Sequence, residues 1–141
     1  MGCIFCKIIE GESPASIVYE DDETIAFMDI YPVTRGHTLV VPKAHASGLF
    51  DISPELCART MRTAAAVSRA IRDALQPDGM NLWQSTGRAA NQAVFHFHMH
   101  LIPRWYGDGL TAPHGRARAT REVLEDTSDR IRAAMNSRDS Q

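Results

Sequence analysis

The run His96-Phe97-His98-Met99-His100-Leu101 constrains this chain more than any other stretch. Phe95, Phe97, Met99 and Leu101 place apolar residues at alternate positions, the pattern of a half-buried β-strand. Successive side chains on a strand point to opposite faces, so His96, His98 and His100 fall in one row, about 6.5 Å apart. A sheet gains little by concentrating costly imidazoles on one face, and packing alone accounts poorly for the row. Two chemistries use it. Neutral imidazoles can hold zinc and leave a position open for an activated water. Alternatively, one histidine attacks phosphorus while its neighbours orient it and neutralise charge. The spacing does not choose between them.

The rest of the chain reads as one domain, 1–141, large enough for an ordinary hydrophobic core. A formal charge of −2 gives no general attraction to nucleic acid or to an anionic membrane, so neither is an expected partner. The N-terminus lacks a long apolar run, so neither a signal peptide nor a membrane span is expected. Three cysteines do not make a disulfide framework at this length, and the expected compartment is a reducing cytoplasm.

Residues 3–10 form a short helical segment in this reading, ended by Gly11. Strands are expected at 16–20 and 24–29, joined by the acidic turn Asp21-Asp22, and at 37–41, closed by Pro42. The clearest helix opens at Ser53-Pro54-Glu55, with serine as N-cap and proline in the first helical position. Leu56, Thr60, Ala64, Val67, Ile71 and Leu75 make its buried stripe, and Arg59, Arg62, Arg69 and Arg72 its solvated face. Further strands are expected at 80–84 and 93–101, and a last amphipathic helix at 120–135, with 136–141 a frayed tail. The pattern predicts an α+β fold: an antiparallel sheet packed on one side by the long helix and the C-terminal helix.

The stretch H-F-H-M-H-L-I resembles the histidine-triad signature, His-x-His-x-His-x-x with apolar residues at x. With C-I-F-C-K-I-I at 3–9, V-Y-E-D-D at 18–22, A-F-M-D-I at 26–30, G-H-T-L-V-V-P-K-A-H at 36–45 and N-Q-A-V-F-H-F-H-M-H-L-I-P-R at 91–104, the chain is similar to histidine-triad (HIT) nucleotide hydrolases of the bacterial Hint-like branch. The resemblance implies the same α+β fold, a homodimer and a purine nucleotide substrate. It makes His98 the nucleophile at an α-phosphorus, through a covalent nucleotidyl-histidine. That role requires the other ring nitrogen to carry the proton, held there by a carbonyl or a neighbour. His100 donates to phosphate oxygens in this picture, and His37 supports the triad from an adjacent strand. Family members similar to galactose-1-phosphate uridylyltransferase carry glutamine at the third triad position, so His100 points to the hydrolase side. Substrates implied are phosphoramidates, adenylates or dinucleoside polyphosphates. The alternative is a nucleotide-binding regulatory module with slow turnover.

The resemblance also gives Asp29 the ribose hydroxyls, which a carboxylate's paired oxygens suit. Phe5, Ile8, Phe27 and Ile30, with Ile4, match the apolar pocket for the base. Two loops near the phosphate depart from the family. Asn91-Gln92-Ala93 stands for Gly-Gln-Ser or Gly-Gln-Thr, which keeps a residue tolerant of left-handed backbone but loses a hydroxyl that assists the leaving group. Ser85 stands where many family members have asparagine. Cys3-x-x-Cys6 has no room for the strand a thioredoxin-like motif needs, and two cysteines are half of a tetrahedral zinc site. Some bacterial members complete it with the positions that are His45 and His96 here. The implied cofactor is then a structural zinc that pins the N-terminal segment to the triad and fixes His96. Cys57, alone on the long helix, reads as a small apolar filler.

Overall fold

The computed structural model describes residues 2–110 and 118–139. Ser53 caps the long helix α2 (Pro54–Leu75), its hydroxyl accepting the Leu56 N–H at 3.1 Å, and Gln76 ends the helix in a left-handed conformation, φ 52°. Its buried residues are Thr60, Thr63, Ala64, Val67, Ala70 and Ile71, spaced three and four apart as a core-facing stripe requires. Leu56, Leu75 and Cys57 are half-buried along the edges of the same stripe. Arg59 departs from the expected solvated face. It pairs with Asp21 at 2.8 Å and so ties α2 to the turn before β2.

That turn is built by Asp21, whose carboxylate accepts the N–H groups of Glu23 and Thr24 and links β1 (Ile17–Glu20) to β2 (Thr24–Met28). With β3 (Thr38–Pro42), β4 (Gly79–Trp83) and β5 (Met99–Arg104) they form one antiparallel sheet, in the order β1-β2-β3-β5-β4. α2 and the C-terminal helix α3 (Arg121–Asp139) pack on one face over Ala26, Met28, Val40, Met99 and Leu101. The opposite face is not bare. The short helix α1 (Ile4–Ile9) lays Phe5, Ile8 and Ile9 against Ile25, Phe27, Leu39 and Val41. β2 and β3 are therefore buried on both faces. Among the described residues, no helix is long and apolar enough to cross a membrane.

Two elements differ from expectation by more than a residue. α3 runs on to Asp139, so 136–139, expected to fray, are helical, while 140 and 141 lie outside the described residues. β5 covers Met99–Arg104 rather than 93–101. The Gln92 amide holds the preceding loop out of the ladder, bonding to Gly87 N, Ser47 O and Val94 O, and Phe95 is 41% exposed. At the other end Pro103 is tolerated because β3 pairs with β5 only as far as Leu101, so the missing N–H interrupts no pairing with β3.

Candidate active site and metal centre

The three triad imidazoles do not converge on one point. Each is turned to a different partner. His98 is buried, 7% exposed, and its Nδ1 lies 2.7 Å from the His96 carbonyl. A carbonyl only accepts, so Nδ1 carries the proton and Nε2 presents a lone pair. Burial lowers the His98 pKa below the ordinary histidine value and keeps the ring neutral at physiological pH. The Phe5 ring meets it edge-on, centroids 5.1 Å apart.

His100, at the start of β5, is oriented by a second histidine. His37 is fully buried just before β3, and its Nδ1 accepts the Val33 N–H at 3.0 Å. Its proton is therefore on Nε2, which lies 2.9 Å from His100 Nδ1 and donates to it. His100 must then carry its own proton on Nε2, the nitrogen available to donate to an anion. The same His37 Nε2 is 3.4 Å from Asp29, whose other carboxylate oxygen accepts the Tyr31 N–H at 2.8 Å. Asp29, His37 and His100 are close enough to suggest a metal set. The Val33 bond argues against it, since a metal on His37 Nε2 would require a proton on Nδ1, facing the Val33 N–H.

His96 points the other way. Its Nε2–H donates to the Pro42 carbonyl at 2.7 Å, which aims the Nδ1 lone pair at Cys3 Sγ (3.4 Å), Cys6 Sγ (3.6 Å) and His45 Nδ1 (3.1 Å). Cys6 Sγ is in turn 3.4 Å from His45 Nδ1. Tetrahedral zinc with bonds of about 2.0–2.3 Å sets its ligand atoms about 3.3–3.8 Å apart, and these spacings agree to a few tenths of an ångström. Burial lowers the His96 pKa, so the ring is neutral and free to offer a lone pair, and its outer hydrogen bond is of the kind that supports a metal-bound imidazole. The donor set fits zinc. A catalytic zinc made by the triad itself is not what this arrangement provides.

Of the residues expected around the base, Phe5, Ile8 and Phe27 lie together in the smaller core cluster, Phe5 and Phe27 in edge contact at 5.3 Å. Ile30 does not join them. It packs against the larger core, and its carbonyl accepts the Ala119 N–H. Asn91 adopts the expected left-handed backbone, φ 69°. Gln92 braces its own loop, and Ala93 lines a cavity of about 410 Å³ with Cys3, Ile4 and Phe95. Ser85 is half-buried, its carbonyl accepting from Gln84. The carbonyl or neighbour expected behind His98 is the carbonyl of His96, whereas the Val33 N–H and the Pro42 carbonyl, which set the other tautomers, were missed. Main-chain groups carry no sequence signal.

A HIT domain model matches residues 10–106, and the chain belongs to that family. Protein hit of Bacillus subtilis is 48% identical over 111 residues, covering 78% of this chain and 77% of that protein. Adenosine 5'-monophosphoramidase hnt1 of Schizosaccharomyces pombe is 40% identical over 116 residues, 80% of this chain and 84% of that one. A Zn-bound histidine triad family protein from Mycobacterium smegmatis superposes with a TM-score of 0.88 at 40% identity, over 99% of this chain and 97% of that chain.

Proposed function

We propose that this protein is a nucleotide hydrolase acting at the α-phosphorus of purine nucleoside phosphoramidates, adenylates or dinucleoside polyphosphates. One observation carries the reading: a buried neutral His98 whose Nδ1–H is tied to a carbonyl, beside a His100 whose proton is set on Nε2. His98 Nε2 attacks phosphorus, the bond to the leaving group breaks, and a nucleotidyl-His98 forms. The His100 Nε2–H donates to a phosphate oxygen as charge develops there. Water then attacks phosphorus, releases the nucleotide and restores neutral His98. Asp29 takes the ribose hydroxyls, and Phe5, Ile8 and Phe27 face the base. The similarity to a named phosphoramidase supports the substrate class.

Cys3, Cys6, His45 and His96 would hold zinc. Four protein ligands leave no open position, so the ion supplies a cross-link rather than an activated water. We also propose a cytoplasmic homodimer. β4 is an edge strand with Leu82 41% exposed on it, the kind of edge a second copy covers. The test is incubation with an adenosine phosphoramidate, an aminoacyl adenylate and a diadenosine polyphosphate, with mass detection of products and of adenylylated protein. Turnover with an adenylyl group on His98 is expected. Nucleotide binding with neither adduct nor product would replace the hydrolase with a regulatory module.

A further inference from the structure

His98 is the one triad ring whose proton is placed by the main chain of another triad residue, the His96 carbonyl. That carbonyl lies before the ladder begins, since Val40↔Met99 is the end of the pairing between β3 and β5. Two bonds hold the segment instead. The Phe97 N–H reaches the Ala46 carbonyl at 2.7 Å, and the His96 ring reaches the Pro42 carbonyl at 2.7 Å. The Cys/His cluster straddles the first of these: His45 and His96, their Nδ1 atoms 3.1 Å apart, are the chain neighbours of Ala46 and Phe97. Cys3 and Cys6 bracket Phe5 on α1, and Phe5 packs edge-on against both His96 and His98, at 6.0 and 5.1 Å. α1 has six residues, too few to persist by its own hydrogen bonds. The carbonyl behind His98 and the ring beside it both hang on residues that the cluster ties together.

We propose that a thiophilic divalent cation on Cys3, Cys6, His45 and His96 is a positioning element for His98, so that the orientation and tautomer of this ring follow the occupancy of the cluster. The proposal rests on the reading of His98 as nucleophile. Without the cation, two thiols and two imidazole lone pairs crowd one point, α1 is released, and Phe5 and the His96 carbonyl lose their fixed places. The larger core contains none of Cys3, Phe5, Cys6, His45 or His96, so the disturbance stays local. Loss of the outer support of a site residue costs about 10–100-fold in activity, and the same range is expected here.

The experiment compares zinc-loaded protein, protein chelated under reducing conditions, and the chelated protein reloaded with zinc. Two quantities are read: the imidazole nitrogen–proton correlations of His98 by NMR, and the single-turnover rate of adduct formation on His98 with an adenosine phosphoramidate. Chelation should abolish the slowly exchanging His98 Nδ1–H signal and slow adduct formation about 10–100-fold, with the sheet intact by circular dichroism. Reloading the chelated protein with zinc should restore both. Should chelation unfold the chain, His45→Ala is titrated with zinc, and signal and rate must rise together with occupancy. An unchanged His98 signal and rate in metal-free protein, or signal and rate that ignore zinc occupancy, would overturn the proposal. Absence of any adduct even in loaded wild type would instead remove the nucleophile reading, and the NMR signal alone would then decide the positioning role.

Discussion

Replacing His37 with leucine separates holding a proton in place from making a bond to phosphorus. The ring is fully buried and has a bond at each nitrogen, to the Val33 N–H and to His100 Nδ1. Leucine occupies a similar volume and can make neither. The Val33 N–H and His100 Nδ1 then lose His37 as a partner, and each such loss costs about 1–3 kcal/mol, so His37→Leu should destabilise the fold by roughly 2–6 kcal/mol. The kinetic effect has a different size. His100 is still present, but its proton is no longer held on Nε2 by the donor at Nδ1. Losing one neutral hydrogen bond's preference, about 1 kcal/mol, shifts the tautomer ratio about fivefold, lets the wrong tautomer compete and lowers kcat by at most about fivefold. That is smaller than the about 10²–10³ expected from deleting an anion-stabilising donor outright. Urea unfolding measures the first effect, and burst kinetics with a phosphoramidate, at a temperature where the variant is folded, measure the second. A kcat equal to that of wild type would show that His37 only packs. A loss as large as that of His98→Ala would show that it does more than hold a tautomer.

His98→Ala should form no nucleotidyl adduct while still binding AMP, whereas His100→Ala should form it more slowly; mass spectrometry and calorimetry distinguish the two. Ala93→Ser should raise phosphoramidate hydrolysis more than dinucleoside polyphosphate hydrolysis, because an amine leaving group needs a proton and a nucleotide phosphate does not; paired kcat/KM values check it. Acid stability follows Asp21 and Asp108. Burial would raise the Asp21 pKa, but hydrogen bonds from Glu23, Thr24 and Tyr19 outweigh it and pull it below the ordinary value; for Asp108 the bond from Arg104 is the largest cause of the lowering, with the Leu110 and Trp105 N–H groups adding to it. A depressed folded pKa gives stability that is present above the unfolded value, about 3.9, and is lost as pH falls through the folded one. Unfolding curves from pH 5 downward should therefore flatten in Asp21→Asn and Asp108→Asn.

The elements were legible where one periodicity ruled. α2 carries its N-cap, its first-turn proline and six turns of apolar spacing, and its start was readable to the residue. The 93–101 segment misled because alternation of residue types there answers to two demands. Phe97, Met99 and Leu101 do face the larger core, yet the residues before Met99 owe their shape to the Gln92 amide and the Ala46 carbonyl. The carbonyls of Ala46 and Ser47 that hold this segment lie far away in sequence, so no window over 93–98 contains them. Ile30 failed for a related reason. It directly follows Asp29, but the chain turns there and takes its side chain to the opposite side of the sheet from Phe27.

The triad shows most plainly what a residue pattern can carry. Three identical side chains at equal spacing suggested one shared task, with metal and nucleophile as competing readings. The fold divides the tasks instead. His96 turns to two cysteines that lie some ninety residues away in sequence, His98 turns back on its own main chain, and His100 turns to His37 on the neighbouring side of β3. Each ring's tautomer is set by one partner that can only accept or only donate: a carbonyl for His96, a carbonyl for His98, and for His100 a histidine whose other nitrogen faces an N–H. The metal and nucleophile readings therefore do not compete for the row. Changing the partner, rather than the histidine, is the direct way to show which nitrogen does which work, and substitutions at His37 and His45 do so from opposite ends of the site.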